Sequence, residues 1–166
     1  MSNSTRILVD GMNLIYKFPD LTSFLVDSQL EEARQGLLSY LWQYYKEKKM
    51  SEVLVFFDGK KLSDADCYSE VYESMSVHYS HAKKADDLII GYLTQTPIPS
   101  QCLVITSDKE IVNFARKVRA KRKTSEDFYT EWVSYFQAKE DAELNQIKEG
   151  LTEMPEQDYW AKQFLT

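Results

Sequence analysis

Short runs that are apolar at every position alternate along this chain with longer stretches whose apolar residues recur at helical spacing. Arg6–Val9, Val53–Phe57 and Cys102–Thr106 are runs of the first kind, and Val77–Tyr79 is a shorter one. Their brevity and β-branched content predict strands, and apolar character throughout predicts burial on both faces. In the stretch Leu30 to Lys49 the apolar positions Leu30, Ala33, Leu37, Leu38, Leu41, Trp42 and Tyr45 follow a helical period. Lysines gather at its end, where the helix dipole favours cations. Asp86–Gln95, Lys109–Val118 and Ser125–Lys139 also read as helices, and Ser63–Ser74 as a weaker one. Ser107 and Glu110 have capping-box spacing ahead of the second of these. The prolines of Thr96–Ser100 make a loop. Ala120–Lys123 reads as a polar edge strand, and the acidic residues after Lys139 as helical in part.

Strands alternating with helices predict an α/β fold, with a mostly parallel central sheet covered by helices in three layers. The 166 residues suffice for one ordinary domain with its own core. The expected division is a domain over 1–128 and a C-terminal helical extension over 129–166, packed on the same domain. A hydrophobic share of 43% and a charged share of 28% fit a soluble globular protein. No apolar run approaches the roughly 20 residues of a membrane span, and MSNSTR has no signal-peptide stretch. A cytoplasmic location and no membrane partner are therefore expected.

The cysteines, Cys67 and Cys102, form no metal-binding pattern, which argues against zinc. His78 and His81 lack an accompanying nucleophile pattern, so histidine-driven acid–base chemistry finds no support. The carboxylates do form a pattern. Asp10, Asp58 and Asp108 each follow an apolar strand directly or within two residues. In a parallel sheet the carboxyl ends of strands share one edge, and ligands of open α/β sheets bind there. Asp86 and Asp87, at the start of a helix, come within reach of the same rim. Carboxylates held together repel unless a cation neutralises them, and hard oxygen donors suit Mg²⁺ or Mn²⁺. Such a site activates a water for phosphodiester hydrolysis without a side-chain nucleophile.

Each acid also has a plain structural reading. Asp86, Asp87 and Asp108 sit where helix dipoles favour acids, and Asp58-Gly59 is a common turn pair. Asp10 resists that reading because no helix is expected to start directly after it. Asn13, in DGMN, suits either a turn or the orientation of water or phosphate, and Ser107 either a cap or the site.

A net charge of −6 excludes a basic coat for nucleic acid. One local track remains, RKVRAKRK, comprising Arg116, Lys117, Arg119, Lys121, Arg122 and Lys123. It reads either as a phosphate-binding track or as a solvated helix end followed by a lysine-guarded edge. Lys83 and Lys84 add to it. Tyr16 and Phe18 follow DGMN and suit either stacking on a base or packing. Trp42, Tyr44 and Tyr45 read as core and its margin, and Trp160 with Phe164 as a stripe docking the tail.

The segments ILVDGMNLIYKFPDL, VLVFFDG, KKADDLIIGYL and LVITSDKEIVNFAR resemble, in order, the blocks of the YacP-like NYN family of PIN-like nucleases. The resemblance runs from Ile7 to Phe128, and its DGxN–FPDL block is the most specific part. It implies a PIN-like fold, Mg²⁺ or Mn²⁺ dependence and endoribonuclease activity on single-stranded RNA or mRNA, in some members at the ribosome. Carried across, the acidic site falls on Asp10, Asp86 and Asp108, with Asn13 and Ser107 in supporting polar roles. Asp58 matches the acid ending the second strand, and Asp87 stands where many relatives carry a non-acidic residue. The competing reading is an RNA-binding or adaptor module of the same fold with little activity; the complete acidic set favours the enzyme. An aspartate-nucleophile phosphotransferase is disfavoured because Met12 stands where a second acid belongs. A dinucleotide fold is disfavoured because no GxGxxG follows the first strand.

Overall fold

The computed structural model describes residues 4–48 and 51–152. Its elements run β1 (Thr5–Asp10), α1 (Gly11–Ile15), α2 (Pro19–Val26), α3 (Leu30–Tyr45), β2 (Ser51–Phe57), β3 (Ser69–Tyr72), β4 (Met75–Tyr79), α4 (Ala85–Gln95), a 3₁₀ turn (Pro99–Gln101), β5 (Cys102–Ile105), α5 (Lys109–Lys117), β6 (Lys121–Lys123) and α6 (Ser125–Thr152). They fall into two compact units, residues 1–129 and 130–166.

The first unit holds a six-stranded sheet in the order β3-β4-β2-β1-β5-β6. Every pairing is parallel except β3 against β4. The apolar runs therefore occupy the sheet centre, as burial on both faces requires. Side chains alternate between faces along each strand. Leu8, Leu54, Phe56 and Val104 pack with Ile89 and Leu93 of α4 and Ile111 and Ala115 of α5. The alternate positions include Phe57, which lies under Arg34 of α3. Helices thus cover both faces, and the mixed α/β layering is as expected.

Two glycines are dictated by local geometry. A Cβ on Gly11 would stand 2.4 Å from the Phe57 ring and 2.9 Å from the Phe56 carbonyl, so only glycine lets α1 start directly over β2. Gly59 has φ +83°, a left-handed conformation that other residues adopt at a cost. The connection it belongs to is pinned from below by Arg34, whose Nη2 donates to the Asp58 carbonyl at 2.5 Å and Nη1 to the Lys60 carbonyl at 2.8 Å.

The structure corrects several local expectations. Ser63–Ser74 is not a helix: it holds turns and then β3, joined to β4 by a two-residue hairpin with Glu73 at φ +55°. Glu70 of that strand is turned toward Tyr79, whose hydroxyl donates to it at 2.9 Å, and pairs with Lys61. A charged residue takes the inward place, so no apolar alternation marks the strand. A helix, α1, does start directly after Asp10, although Asp10 makes no side-chain cap to it. Pro19 opens α2 from its first position, where its missing N–H costs nothing. Phe18 is core, 1% exposed and in ring contact with Tyr40 and Tyr129. Tyr16 is the exposed one, at 61%. Tyr45 is buried while Trp42 and Tyr44 lie at the core's margin.

The second unit continues α6 to Thr152, with Trp132 and Phe136 in ring contact at 4.7 Å. Lys49, Trp160 and Phe164 lie outside the described residues. No helix among the described residues is long and apolar enough to cross a membrane.

Candidate metal centre

Parallel register brings the ends of β1, β2 and β5 to one edge of the sheet. Asp10 is the last residue of β1, opposite Phe56. It is 8% exposed, and its Oδ2 accepts from the Thr106 hydroxyl at 2.9 Å. Burial raises its pKa to about 6, the Thr106 hydrogen bond opposes the rise, and the neighbouring Asp58 and Asp108 charges add to it. The strand-end acids are thus electrostatic neighbours of Asp10.

Asp108 is the N-cap of α5. Its Oδ1 accepts from the backbone N–H of Glu110 at 2.9 Å and of Ile111 at 3.3 Å. The cap is therefore Asp108, not Ser107, and the capping-box pairing of Ser107 with Glu110 does not form. Instead Glu110 turns back beside Asp108. Carboxylate oxygens of Asp86, Asp108 and Glu110 all lie within 4.8 Å of one another. Three hard, anionic donors so close fit one divalent cation of the Mg²⁺ or Mn²⁺ class.

The other acids have visible duties. Asp58 Oδ1 accepts from the Ala85 N–H at 2.7 Å and so anchors the first turn of α4, which carries Asp86. Asp87 is outside the three-carboxylate cluster and, with Lys83, lines a cavity between α4 and strands β2 and β4. Asn13 Oδ1 accepts from the Ser107 N–H at 2.9 Å and the Ser125 hydroxyl at 2.6 Å. Ser107 Oγ accepts from the Ser125 N–H at 3.0 Å and donates to Glu126. Lys17, 2.5 Å from Glu126, and the Ser107 hydroxyl hold that carboxyl down at about 2. Asn13 and Ser107 thus belong to one polar lattice tying α1, the β5–α5 connection and the start of α6.

Thr106, Glu110, Ser125 and Glu126 were not among the site residues expected from sequence, Glu110 being read only as a capping-box partner of Ser107. Only Thr106 and Glu110 carried a signal, flanking the Ser107-Asp108 pair closely; Ser125 and Glu126 arrive by tertiary contact.

The basic residues are spread along an edge. Lys83 and Lys84 are exposed just before α4, at the rim. Lys123 reaches it too, since its carbonyl accepts from the Thr106 N–H at 3.0 Å. Lys121 and Arg122 are exposed on β6, whose parallel pairing with β5 leads toward the rim. Arg116 lies near the far end of α5, about 12 Å along the helix from Asp108 at its usual rise. Exposed Arg119, at φ +65°, makes the turn between α5 and β6.

The YacP-like NYN domain profile matches residues 7–166. The chain belongs to that family. The match extends through the C-terminal residues, beyond the Ile7–Phe128 span of the sequence motifs. The family is of the NYN/PIN nuclease type. Among solved structures, the chain is similar to Rae1 (YacP) from Bacillus subtilis, at 24% identity and a TM-score of 0.65, covering 87% of this chain and 82% of that one. A tryptophan-to-leucine variant of the same protein gives 24% identity and a TM-score of 0.65 over 90% of this chain and 85% of that one. These likenesses show the shared fold. A search of curated proteins finds no match.

Proposed function

We propose that this protein is a divalent-metal-dependent endoribonuclease acting on single-stranded RNA. The observation that carries the reading is the approach of the Asp86, Asp108 and Glu110 oxygens within 4.8 Å at the sheet edge, in a chain of the NYN/PIN type. Asp10 lies outside that trio but is an electrostatic neighbour of Asp108 and would add a donor from β1, and Asp58 acts through α4 to place Asp86. A dication held there supplies Lewis acidity and an activated water. Asn13, fixed by Ser107 and Ser125, leaves its amide N–H₂ to orient water or a phosphoryl oxygen. Lys83, Lys84 and Lys123 at the rim, with Lys121, Arg122, Arg119 and Arg116 leading away from it, offset the acidic pocket's repulsion of the RNA backbone. A cytoplasmic location and action on mRNA at the ribosome belong to the same reading.

Asp108→Asn separates catalysis from folding. Asparagine caps helices as well as aspartate does, so α5 stays intact while a metal-binding charge is lost. A closed circular single-stranded RNA, which only an endonuclease can open, is the substrate. Wild type should linearise it with Mn²⁺ or Mg²⁺ and not with EDTA. The variant should lose about a hundredfold or more in rate, with unchanged circular dichroism and melting temperature. Absence of metal-dependent cleavage by wild type, on free RNA and on ribosome-bound mRNA, overturns the enzyme reading.

A further inference from the structure

Beside the acidic rim, between α4 and strands β2 and β4, lies a concavity of about 430 Å³. Its size is that of a small-ligand site. Phe56 of β2 and His78 of β4 are register partners, and their rings stack at 5.1 Å, forming an aromatic floor. Tyr92 adds a third ring, and Gly91 leaves the α4 wall open, since a Cβ there would meet nothing within 4 Å. Burial holds the His78 pKa down, which favours the neutral ring. The polar lining is a carboxylate, Asp87, an ammonium, Lys83, and an amide, Gln95.

The position of this cavity is informative. Asp86 belongs to the metal cluster and Asp87, the next residue on the same helix turn, faces the cavity. Adjacent Cα atoms are about 3.8 Å apart, so cavity and cluster are within the reach of one nucleotide. An aromatic floor with a few polar groups is the usual environment of an unstacked base. The polar set also discriminates. A carboxylate only accepts, and guanine alone offers it two adjacent donors, N1–H and N2–H₂; an ammonium only donates, and O6 and N7 of guanine accept. Asp87 has lone pairs to spare, its Oδ2 receiving only a long 3.4 Å contact from the Lys84 N–H among the bonds identified.

We infer that this cavity is a nucleobase subsite, which seats the base of a nucleotide adjoining the scissile phosphate and prefers guanine. The inference rests on the ribonuclease reading for its substrate, but its binding half can be read without cleavage.

Metal-free protein is titrated with guanosine, adenosine, cytidine and uridine 5′-monophosphates while the ring protons of His78 are followed by NMR. Guanosine monophosphate should shift them at a concentration at least about fivefold below that needed for uridine monophosphate. Gly91→Leu, which fills the cavity with a good helix former, should abolish the shift, and His78→Ala should weaken binding measured calorimetrically. In the cleavage arm, wild type should favour sites flanked by guanine over uracil, and the ratio should fall toward one in Gly91→Leu. No shift of His78 by guanosine monophosphate, equal response to all nucleotides, or an unchanged response in a folded Gly91→Leu overturns the subsite. If wild type cuts no RNA, the ribonuclease reading falls by itself, and the titration still decides the cavity.

Discussion

Asp10 is the acid whose surroundings cost it most. It is nearly shut off from water, and two further carboxylates face it, so its proton leaves only near pH 6. The consequence for stability has a definite sign. Well below pH 3.8 the carboxyl is protonated in both folded and unfolded chains and contributes no penalty. As pH rises from 3.8 toward about 6 the unfolded chain gives up the proton while the folded chain keeps it, so stability falls through that window. Above it the full penalty stands, at most about 3 kcal/mol by the usual conversion. Asp10→Asn removes the charge and can keep the Thr106 hydrogen bond. In EDTA at pH 7 the variant should therefore be more stable than wild type by about 1–3 kcal/mol, and the gap should close as pH falls below 3.8. Urea denaturation at several pH values measures this. Excess Mn²⁺ should stabilise wild type more than the variant, because a cation offsets the repulsion only where the charge exists. For the same reason protons compete with metal, and wild-type cleavage should weaken as pH drops below about 6. A variant no more stable than wild type in EDTA would mean that Asp10 is not strained by its neighbours.

At the scale of elements, the site depends on a connection rather than a strand. Arg34 is buried, lies 5.4 Å from the ring centroids of Phe57 and Tyr79, and grips the carbonyls of Asp58 and Lys60. Asp58 in turn holds the start of α4 through Ala85. Arg34→Lys keeps the charge but loses the fork that reaches both carbonyls at once. It should cost about 2 kcal/mol in stability and also lower Mn²⁺ affinity several-fold, read by calorimetric titration. A loss of stability with unchanged affinity would show that Arg34 supports the fold alone. Such relays explain what the sequence could and could not reveal. Asp10, Asp58 and Asp108 were legible because parallel register sends every strand's end to one edge. Asp86 was legible as an acid opening a helix. Glu110 was not: its direction depends on whether Ser107 or Asp108 caps α5, a choice of one residue that periodicity does not make. Strand β3 was hidden because Glu70 satisfies its inward position through Lys61 and Tyr79 instead of an apolar side chain. Helices α1 and α2 were hidden because one is five residues long and the other begins at a proline. Arg34 carried no sequence signal, because its partners lie in another segment.

For the whole molecule, the net charge of −6 opposes approach to RNA, so binding must come from where the positive charges are. Lys121 and Arg122 are exposed on edge strand β6, which runs toward the rim where Lys123 joins Thr106. If they contact phosphates, each releases condensed counterions from the single strand. The slope of log affinity against log salt should then shrink by about 0.7 per contact removed. The pair Lys121→Gln with Arg122→Gln should lower it by about 1.4 and weaken binding alike for RNAs of different sequence. The rate at saturating RNA should hold, since neither residue touches the acidic cluster. A plain charge effect makes a different forecast, because Lys139→Gln removes one positive charge from the other compact unit. Charge for charge, that substitution should leave the slope almost unchanged if the β6 edge is the track. Equal slopes per charge lost would make overall charge the determinant and return Lys121 and Arg122 to guarding an exposed sheet edge. Measuring the slopes in Ca²⁺ or EDTA keeps the RNA intact, so the comparison reads binding separately from the metal centre.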